Sequence, residues 1–275
     1  MRKETSLLPT GEYPLRAILL FTLIAFAFPL LYSVPVNFWG LDQKQTFSFL
    51  LFGIAAAAPS VAAVLTVTTH RGKKGLQDFF RASFPSKIRI GSLSLALILA
   101  LGIALAIALL KMIVTGVPFL VKIPTPTQLL VIGWALVAEE LGWRGFLHKA
   151  LEKKLPSILV PLLVGLLWTL WHYHFYITGN MTTPLLLLML SCIADSYIYR
   201  YLLRCSGGGI LPAMLYHMFG NLFPRLFLLA PEANGGDTTW YAALVLLSCV
   251  VAALLTVHSY RPGKTLPRKQ VRSSS

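Results

Sequence analysis

Long apolar runs, separated by short polar connections, make up most of the chain. A helix needs about 20 mostly apolar residues to cross a bilayer, and prolines and glycines interrupt the pattern between the runs. This alternation predicts an all-α fold, a polytopic bundle of about eight transmembrane helices. The predicted spans cover residues 15–34, 47–69, 90–113, 127–148, 156–177, 184–203, 209–229 and 239–258.

Composition supports the same fold class. Of the 275 residues, 56% are hydrophobic and only 12% are charged, and the mean hydropathy is +0.70, which is too apolar for a soluble domain of this size. The sequence therefore predicts an integral membrane protein with a single transmembrane domain, residues 1–275. The three cysteines show no CxxC spacing, so they indicate neither a zinc knuckle nor a disulfide framework.

The net charge of +14 is distributed in a way that predicts topology rather than nucleic-acid binding. Basic residues are concentrated in alternate connections and at both termini, and the positive-inside rule then places both termini in the cytoplasm. The tail, residues 261–275, predicts a basic, disordered segment drawn to anionic lipid. The basic residues concerned are Arg2, Lys3, Arg71, Lys73, Lys74, Arg81, Lys87, Arg89, Lys149, Lys153, Lys154, Arg204, Arg261, Lys264, Arg268, Lys269 and Arg272.

Ionisable residues inside the predicted spans are the candidates for chemistry. Such a residue costs on the order of 2.5 to 3.5 kcal/mol at mid-bilayer, so it normally faces a bundle interior or a wet cavity. In "AEELGWRGFL", Glu140 and Arg144 are four residues apart and can form an ion pair. Glu139 is rotated by about 100° on the same helix, which leaves it available as a general base.

Two further predicted spans add imidazoles. His217 and Asn221 lie four residues apart in "HMFGN" and could present an oxyanion-stabilising pair of donors. His172 follows Trp168 by one turn, and His174 points elsewhere. These residues fit a structural ion-pair cluster, a water-activating site or a metal site, although the HExxH spacing typical of zinc proteases is absent from the set.

Three segments in order, "EELGWR", "WTLWH" and "HMFGN", resemble the EExxxR, FxxxH and HxxxN motifs of the CPBP (CAAX protease and bacteriocin-processing) family, which includes type II CAAX prenyl endopeptidases. The resemblance covers about residues 127–228, the predicted catalytic core. It implies an intramembrane endopeptidase of a bacterial or archaeal cell membrane. Its substrate would be a hydrophobic or prenylated peptide or protein. The implied catalytic residues are Glu139, His172, His217 and Asn221, supported by Glu140, Arg144 and Trp168.

The resemblance leaves the cofactor open. No cofactor is certain, and a divalent metal such as zinc would have His172, His217 and Glu139 as its ligands. The chain also departs from the family pattern, because Trp168 replaces the phenylalanine of the second motif. Tyr173 and His174 stand where many relatives have an aliphatic residue and a proline, which implies a straighter fifth helix here.

Asp195 has no counterpart in the family motifs. It lies in the sixth predicted span, near its cytoplasmic end, and is expected to pair with Arg200 or Arg204.

A non-catalytic membrane protein is the alternative to an enzyme. A bacteriocin-immunity factor, a scaffold or a proton-coupled transporter would also contain buried carboxylates and histidines. The sequence has neither an internal repeat nor matching pairs of interrupted helices, and many carriers show one or the other. Cleavage of a peptide would distinguish the enzyme from these alternatives.

The alternation of basic connections predicts the topology. Reporter fusions after Lys74, Lys154 and Ser275 should be cytoplasmic, whereas fusions within residues 178–183 and near Gly236 should be external, because basic connections are retained inside. A cytoplasmic reporter near Gly236 would show that the last two spans are wrongly assigned.

Overall fold

The computed structural model describes residues 12–259, and every regular element within that range is helical. The predicted all-α fold is thereby confirmed, while the predicted tail, residues 261–275, lies outside the described residues. The helices are α1 (Leu15–Ala27), α2 (Leu30–Phe38), α3 (Thr46–Ala56), α4 (Ala58–Ser83), α5 (Ile90–Thr115), α6 (Pro126–Ala138), the π-helical segment (Leu141–His148), α7 (Lys149–Leu151), α8 (Leu159–Trp171), α9 (Tyr173–Ile177), α10 (Leu185–Ser206), α11 (Leu211–Leu226), α12 (Pro231–Asn234) and α13 (Thr239–Ser259).

Several of these helices are long and apolar enough to cross a membrane. Within residues 12–259, four stretches meet this condition alone, and α3 with α4, bent by 53°, forms a fifth candidate; the four are Leu15–Phe38, Ile90–Thr115, Leu185–Ser206 and Thr239–Ser259. The other predicted spans correspond to shorter or interrupted helices. The chain is an integral membrane protein, and the structure is compatible with about eight spans.

Exposed apolar side chains form rows along the outer faces of several helices. Leu15, Leu19 and Leu23 lie four residues apart on α1 and are each at least 60% exposed. Ile98 and Ile113 on α5, and Leu254 on α13, are exposed in the same way. Residues four apart share one helix face, and exposed apolar faces of this kind suit contact with lipid rather than water.

Small residues allow the helices around the centre to pack closely. α10 packs between α8 and α13, α11 packs against α5 and α6, and α4 packs against α1 and the π-helical segment. A Cβ atom at Gly165 of α8 would lie 2.7 Å from the Cα atom of Ile193. A Cβ atom at Gly142 would overlap the carbonyl group of Pro59 in α4. Small residues at such contacts are typical of membrane helices.

The two ends of the bundle differ in charge. One of them, which we call the basic end, consists of residues 12–16, 70–89, 148–158 and 203–210. Hydrogen bonds join the last three of these segments to one another. The carbonyl oxygen of Cys205 accepts a hydrogen bond of 3.0 Å from Arg89, and that of Ala82 accepts one of 3.3 Å from Lys149. At the end we call the opposite end, Gln43 donates to the carbonyl oxygen of Thr178 at 3.0 Å.

Gly142 is expected to be intolerant of any side chain. Gly142→Ala should destabilise the protein by roughly 1 to 3 kcal/mol, the usual cost of overpacking, because the obstacle is the Pro59 backbone. A thermal melt in detergent measures this change. Gly102→Ala in α5 is the matched control, because a Cβ atom there meets no other atom within 4 Å. An equal melting temperature for the two variants would contradict this account of the contact.

Candidate active site

The two adjacent glutamates lie where an α-helix changes into a π-helix. α6 begins with a capping box, in which Thr125 and Gln128 each accept a hydrogen bond from the other's backbone N–H group. Glu139 caps the end of α6, and Glu140 precedes the π-helical segment. The sequence predicted one continuous helix here. Short π-helical segments are frequent at functional sites, and they rotate the following side chains relative to an α-helix.

Glu140 is completely buried and binds two donors through a single oxygen. Its Oε1 atom lies 3.1 Å from Nη1 of Arg144, which is also completely buried. The same oxygen lies 2.8 Å from Nδ1 of His217 on α11. Because the carboxylate accepts, Nδ1 of His217 carries the hydrogen. Glu140 therefore fixes the imidazole and leaves its Nε2 atom for the cavity that His217 lines.

Aromatic rings enclose the guanidinium of Arg144. Its Cζ atom lies 4.3 Å from the ring centre of Trp168 and 3.9 Å from that of Tyr199. Its Nη2 atom donates to Oγ of Ser196 at 3.3 Å. Cation–π contacts of this kind are stronger when the cation is removed from water. Arg144 thus connects the π-helical segment to α8 and α10.

Glu139 lies beside this ion pair but does not belong to it. Its Oε2 atom accepts a hydrogen bond of 2.7 Å from the indole Nε1–H of Trp168. The side chain lines a cavity of about 470 Å³ that His172, His217 and Asn221 also line. The structure therefore brings the four predicted catalytic residues to one cavity, and Oε1 of Glu139 is available there for a ligand.

The helix that carries His172 is interrupted at that residue. α8 ends at Trp171, His172 has φ −68° and ψ −1°, and α9 begins at Tyr173. The interruption coincides with a tighter backbone hydrogen bond, from the N–H of His172 to the carbonyl of Thr169, three residues earlier. A straighter fifth helix than in relatives stays a prediction. Nδ1 of His172 lies 2.7 Å from the Trp168 carbonyl oxygen, so Nε2 is the acceptor.

His174 has a different environment. It is completely buried, and its Nδ1 atom lies 2.9 Å from the carbonyl oxygen of Trp171. His174 lines neither the cavity of about 470 Å³, which we call the main cavity, nor a smaller cavity of about 110 Å³ beside it. Only the first imidazole of "WHYHF" reaches the site.

Arg225 is a member of the site that sequence reasoning missed. Its Nη1 atom donates to the carbonyl oxygen of Asn221 at 2.8 Å and to its side-chain Oδ1 at 3.3 Å. With Oδ1 engaged, the NH₂ group of Asn221 is left as a donor beside the cavity. The sequence signal for this contact was the position of Arg225 four residues after Asn221 on α11, because residues four apart are neighbours on one helix face.

Asp195 also faces the site, which corrects the expected pairing with Arg200 or Arg204. Its Oδ1 atom accepts from the hydroxyl of Tyr216 at 3.1 Å, and its Oδ2 atom accepts from Ser191 at 3.4 Å. It lines a smaller cavity of about 110 Å³ together with His172 and His217. The reason is that Asp195 and Arg200 lie on different faces of α10. Asp195 faces α11, where it meets Tyr216, whereas Arg200 binds Ser157 at the basic end.

The predicted metal site was compared with the side chains present. Among residues 12–259, no three His, Cys, Asp or Glu side chains lie close enough together to hold one metal ion. One oxygen of Glu139 is also engaged by Trp168. The described side chains therefore do not fit a three-ligand metal centre. Binding by His172, His217 and Glu139 stays a prediction.

The part of the chain that carries the three motifs is similar to known proteins. Residues 122–223 match the family model described as type II CAAX prenyl endopeptidase Rce1-like, a stretch that contains all three motifs. A protein named CAAX prenyl protease 2 from Methanococcus maripaludis is 25% identical over 109 residues, which cover 36% of this chain and 40% of that protein. The match thus spans less than half of the relative's length. The resemblance predicted from the motifs is confirmed, and residues 122–223 are similar to type II CAAX prenyl endopeptidases of the Rce1-like family.

Proposed function

We propose that the chain is an intramembrane endopeptidase that hydrolyses a peptide bond in a hydrophobic or membrane-associated peptide. The observation that carries this proposal is the division of labour between the two glutamates. Oε1 of Glu140 is occupied by Arg144 and His217, and its Oε2 is buried without a partner and outside the cavity lining. Glu139, in contrast, lines the cavity, with one oxygen held by Trp168. A carboxylate that lines a cavity can meet a ligand, whereas an enclosed carboxylate such as that of Glu140 can only hold its neighbours.

Water activation is assigned to Glu139 and His172. A water molecule bound between Oε1 of Glu139 and Nε2 of His172 would have two acceptors, which raises its nucleophilicity. Its oxygen attacks the scissile carbonyl carbon, and its proton passes to Glu139. When the carbon–nitrogen bond breaks, Glu139 returns that proton to the leaving amine. This use of one group as base and then as acid needs no other proton source.

Oxyanion stabilisation is assigned to His217 and Asn221. With both glutamates ionised, protonated His217 and Arg144 balance their charge within the buried cluster, and a balanced cluster avoids an uncompensated charge in the membrane. His217 then donates from Nε2 while Glu140 holds its Nδ1–H group. The NH₂ group of Asn221 adds a second donor. Donors fixed before the reaction stabilise a developing oxyanion most effectively.

The walls of the cavity favour a hydrophobic substrate. An apolar groove of about 240 Å³ lies between α3 and α6, and it shares Phe52, Val131 and Trp134 with the main cavity. Extended apolar side chains or a lipid chain could be accommodated there. The relative's name, CAAX prenyl protease 2, makes a prenylated peptide one substrate to test, beside unmodified hydrophobic peptides.

The proposed function is tested by cleavage of peptides by the purified protein in detergent. Hydrophobic peptides, with and without a prenyl group, are incubated with wild type and with Glu139→Gln, and the products are identified by mass spectrometry. A parallel sample with chelator tests the predicted metal. A defined new carboxyl terminus with wild type alone supports an endopeptidase. A well-folded wild type that cleaves none of the peptides favours the non-catalytic alternative.

The two glutamates should respond differently to the same substitution. Glu139→Gln should abolish hydrolysis and leave the melting temperature nearly unchanged, because the amide keeps the shape and loses the basicity. Glu140→Gln should lower stability by roughly 3 to 5 kcal/mol, because it removes the counter-charge of buried Arg144. Thermal melts and turnover of each variant provide the comparison.

The control for this pair of variants is Glu140→Gln combined with Arg144→Met. This double variant should recover much of the lost stability, because the unpaired charge is absent. It should not recover activity, since Glu140 also holds His217. If Glu139→Gln melts early while Glu140→Gln melts normally without activity, the two roles are exchanged.

Trp168 should contribute through its indole N–H group as well as its ring. Trp168→Phe keeps a ring beside Arg144 but removes the hydrogen bond to Glu139. Hydrogen bonds to charged groups contribute about 1.5 to 3 kcal/mol, so kcat should fall roughly ten- to hundred-fold with KM little changed.

Trp134→Phe is the matched control for Trp168→Phe. The indole of Trp134 donates to the carbonyl oxygen of Gly53 at 2.8 Å and lines the same cavity. This variant should keep the wild-type kcat, because its hydrogen bond does not involve Glu139. Any change should be in KM, since Trp134 also lines the proposed substrate groove. A normal kcat in Trp168→Phe would show that the indole does not position Glu139.

A further inference from the structure

The side of the membrane from which a substrate reaches the site is indicated by the mouth of the main cavity. Its lining includes the buried residues Glu139 and His217 and the exposed residues Thr127, Asn180 and Glu232. These last three residues belong to connections at the opposite end of the bundle or to the helix starts beside them. The cavity therefore opens at the opposite end.

The smaller cavity opens in the same direction. It reaches Met181, Thr183 and Glu232 at the opposite end, where Thr183 donates to Glu232 at 3.0 Å. Within residues 12–259, neither cavity is lined by a residue from the connections of the basic end. Both cavities that reach the histidines thus begin on one side.

Packed aromatic side chains separate the site from the basic end. Phe21 of α1 contacts both Trp143 and Phe146 of the π-helical segment, with ring centres 5.7 and 5.0 Å apart. Trp143 contacts Trp171 at 6.1 Å, and Tyr13 adds an edge contact to Phe146 at 4.7 Å. Phe21, Trp143, Phe146 and Trp171 are each no more than 1% exposed. A peptide could not pass through this layer without unpacking it.

The charges then assign the two sides of the membrane. Among the described residues, more Lys and Arg side chains lie at the basic end than at the opposite end. The opposite end has Lys44, Lys111, Lys122 and Arg225. The basic end has Arg16, Arg71, Lys73, Lys74, Arg81, Lys87, Arg89, Lys149, Lys153, Lys154, Arg200 and Arg204. Such an asymmetry places the basic end in the cytoplasm.

We infer that the cavity opens to the extracytoplasmic side and takes a hydrophobic peptide segment presented from there. The inference rests on the proposed endopeptidase function and adds the direction of access. Its substrates would be exported peptides, or membrane segments whose scissile bond lies towards the outer surface. A prenylated protein attached to the cytoplasmic leaflet would meet the closed, basic end of the bundle.

Cysteine accessibility in intact cells tests this inference without reference to activity. The three native cysteines are replaced by serine or alanine, and single cysteines are introduced by Thr127→Cys at the mouth, Ala135→Cys inside the cavity and Lys153→Cys at the basic end. A membrane-impermeant, charged thiol reagent is added before or after permeabilisation. Total reactivity in detergent normalises each variant for its expression.

The expected result is that the cysteines at 127 and 135 react in intact cells, whereas the cysteine at 153 reacts only after permeabilisation. Reaction at 153 in intact cells, or protection of 127 and 135 until permeabilisation, would overturn the inference. Position 135 is decisive for the cavity, because position 127 alone reports only the side of one connection. Expected labelling without any peptide cleavage would overturn the proposed function but not the direction of access.

Discussion

One buried carboxylate oxygen, Oε1 of Glu140, connects the main parts of this molecule. It accepts from Arg144 at 3.1 Å and from His217 at 2.8 Å, so it fastens the π-helical segment to α11. Arg144 continues the connection to α8 and α10 through Trp168, Ser196 and Tyr199. In the low dielectric of a membrane bundle, an uncompensated charge is costly. The helices that enclose the cavity are therefore held together by the same charges that orient its histidine.

Adjacent glutamates have different surroundings at the point where the α-helix changes into a π-helix. Glu139 ends α6 and meets Trp168 and the cavity, whereas Glu140 turns inward to the ion pair. Gly142 allows the π-helical segment to touch the backbone of α4 at Pro59. A regular α-helix would place its later side chains at other angles. The local backbone thus contributes to the proposed chemistry as directly as the side chains do.

The sequence alone predicted the membrane fold, the ion pair of Glu140 with Arg144, and four residues that line the cavity together: Glu139, His172, His217 and Asn221. These follow from hydropathy, from spacing along one helix and from the three motifs. The break at His172, the orientation of Asp195 and the contact of Arg225 with Asn221 depend on how helices pack against one another. Spacing within a single helix does not contain that information. The hydrogen bond from Trp168 to Glu139 belongs to the same class, because a motif with phenylalanine at this position gives no reason to expect a donor.

The central claim is that Glu139 activates water rather than attacking the substrate itself. A single turnover of a hydrophobic peptide by excess protein in ¹⁸O-labelled water tests this most directly, with acid quenching and mass spectrometry of both the peptide products and the protein. The account predicts one ¹⁸O atom in the new peptide carboxylate, none in the protein segment that contains Glu139, and no peptide bound covalently to the protein. A covalent peptide adduct, or ¹⁸O in the carboxylate of Glu139, would contradict it.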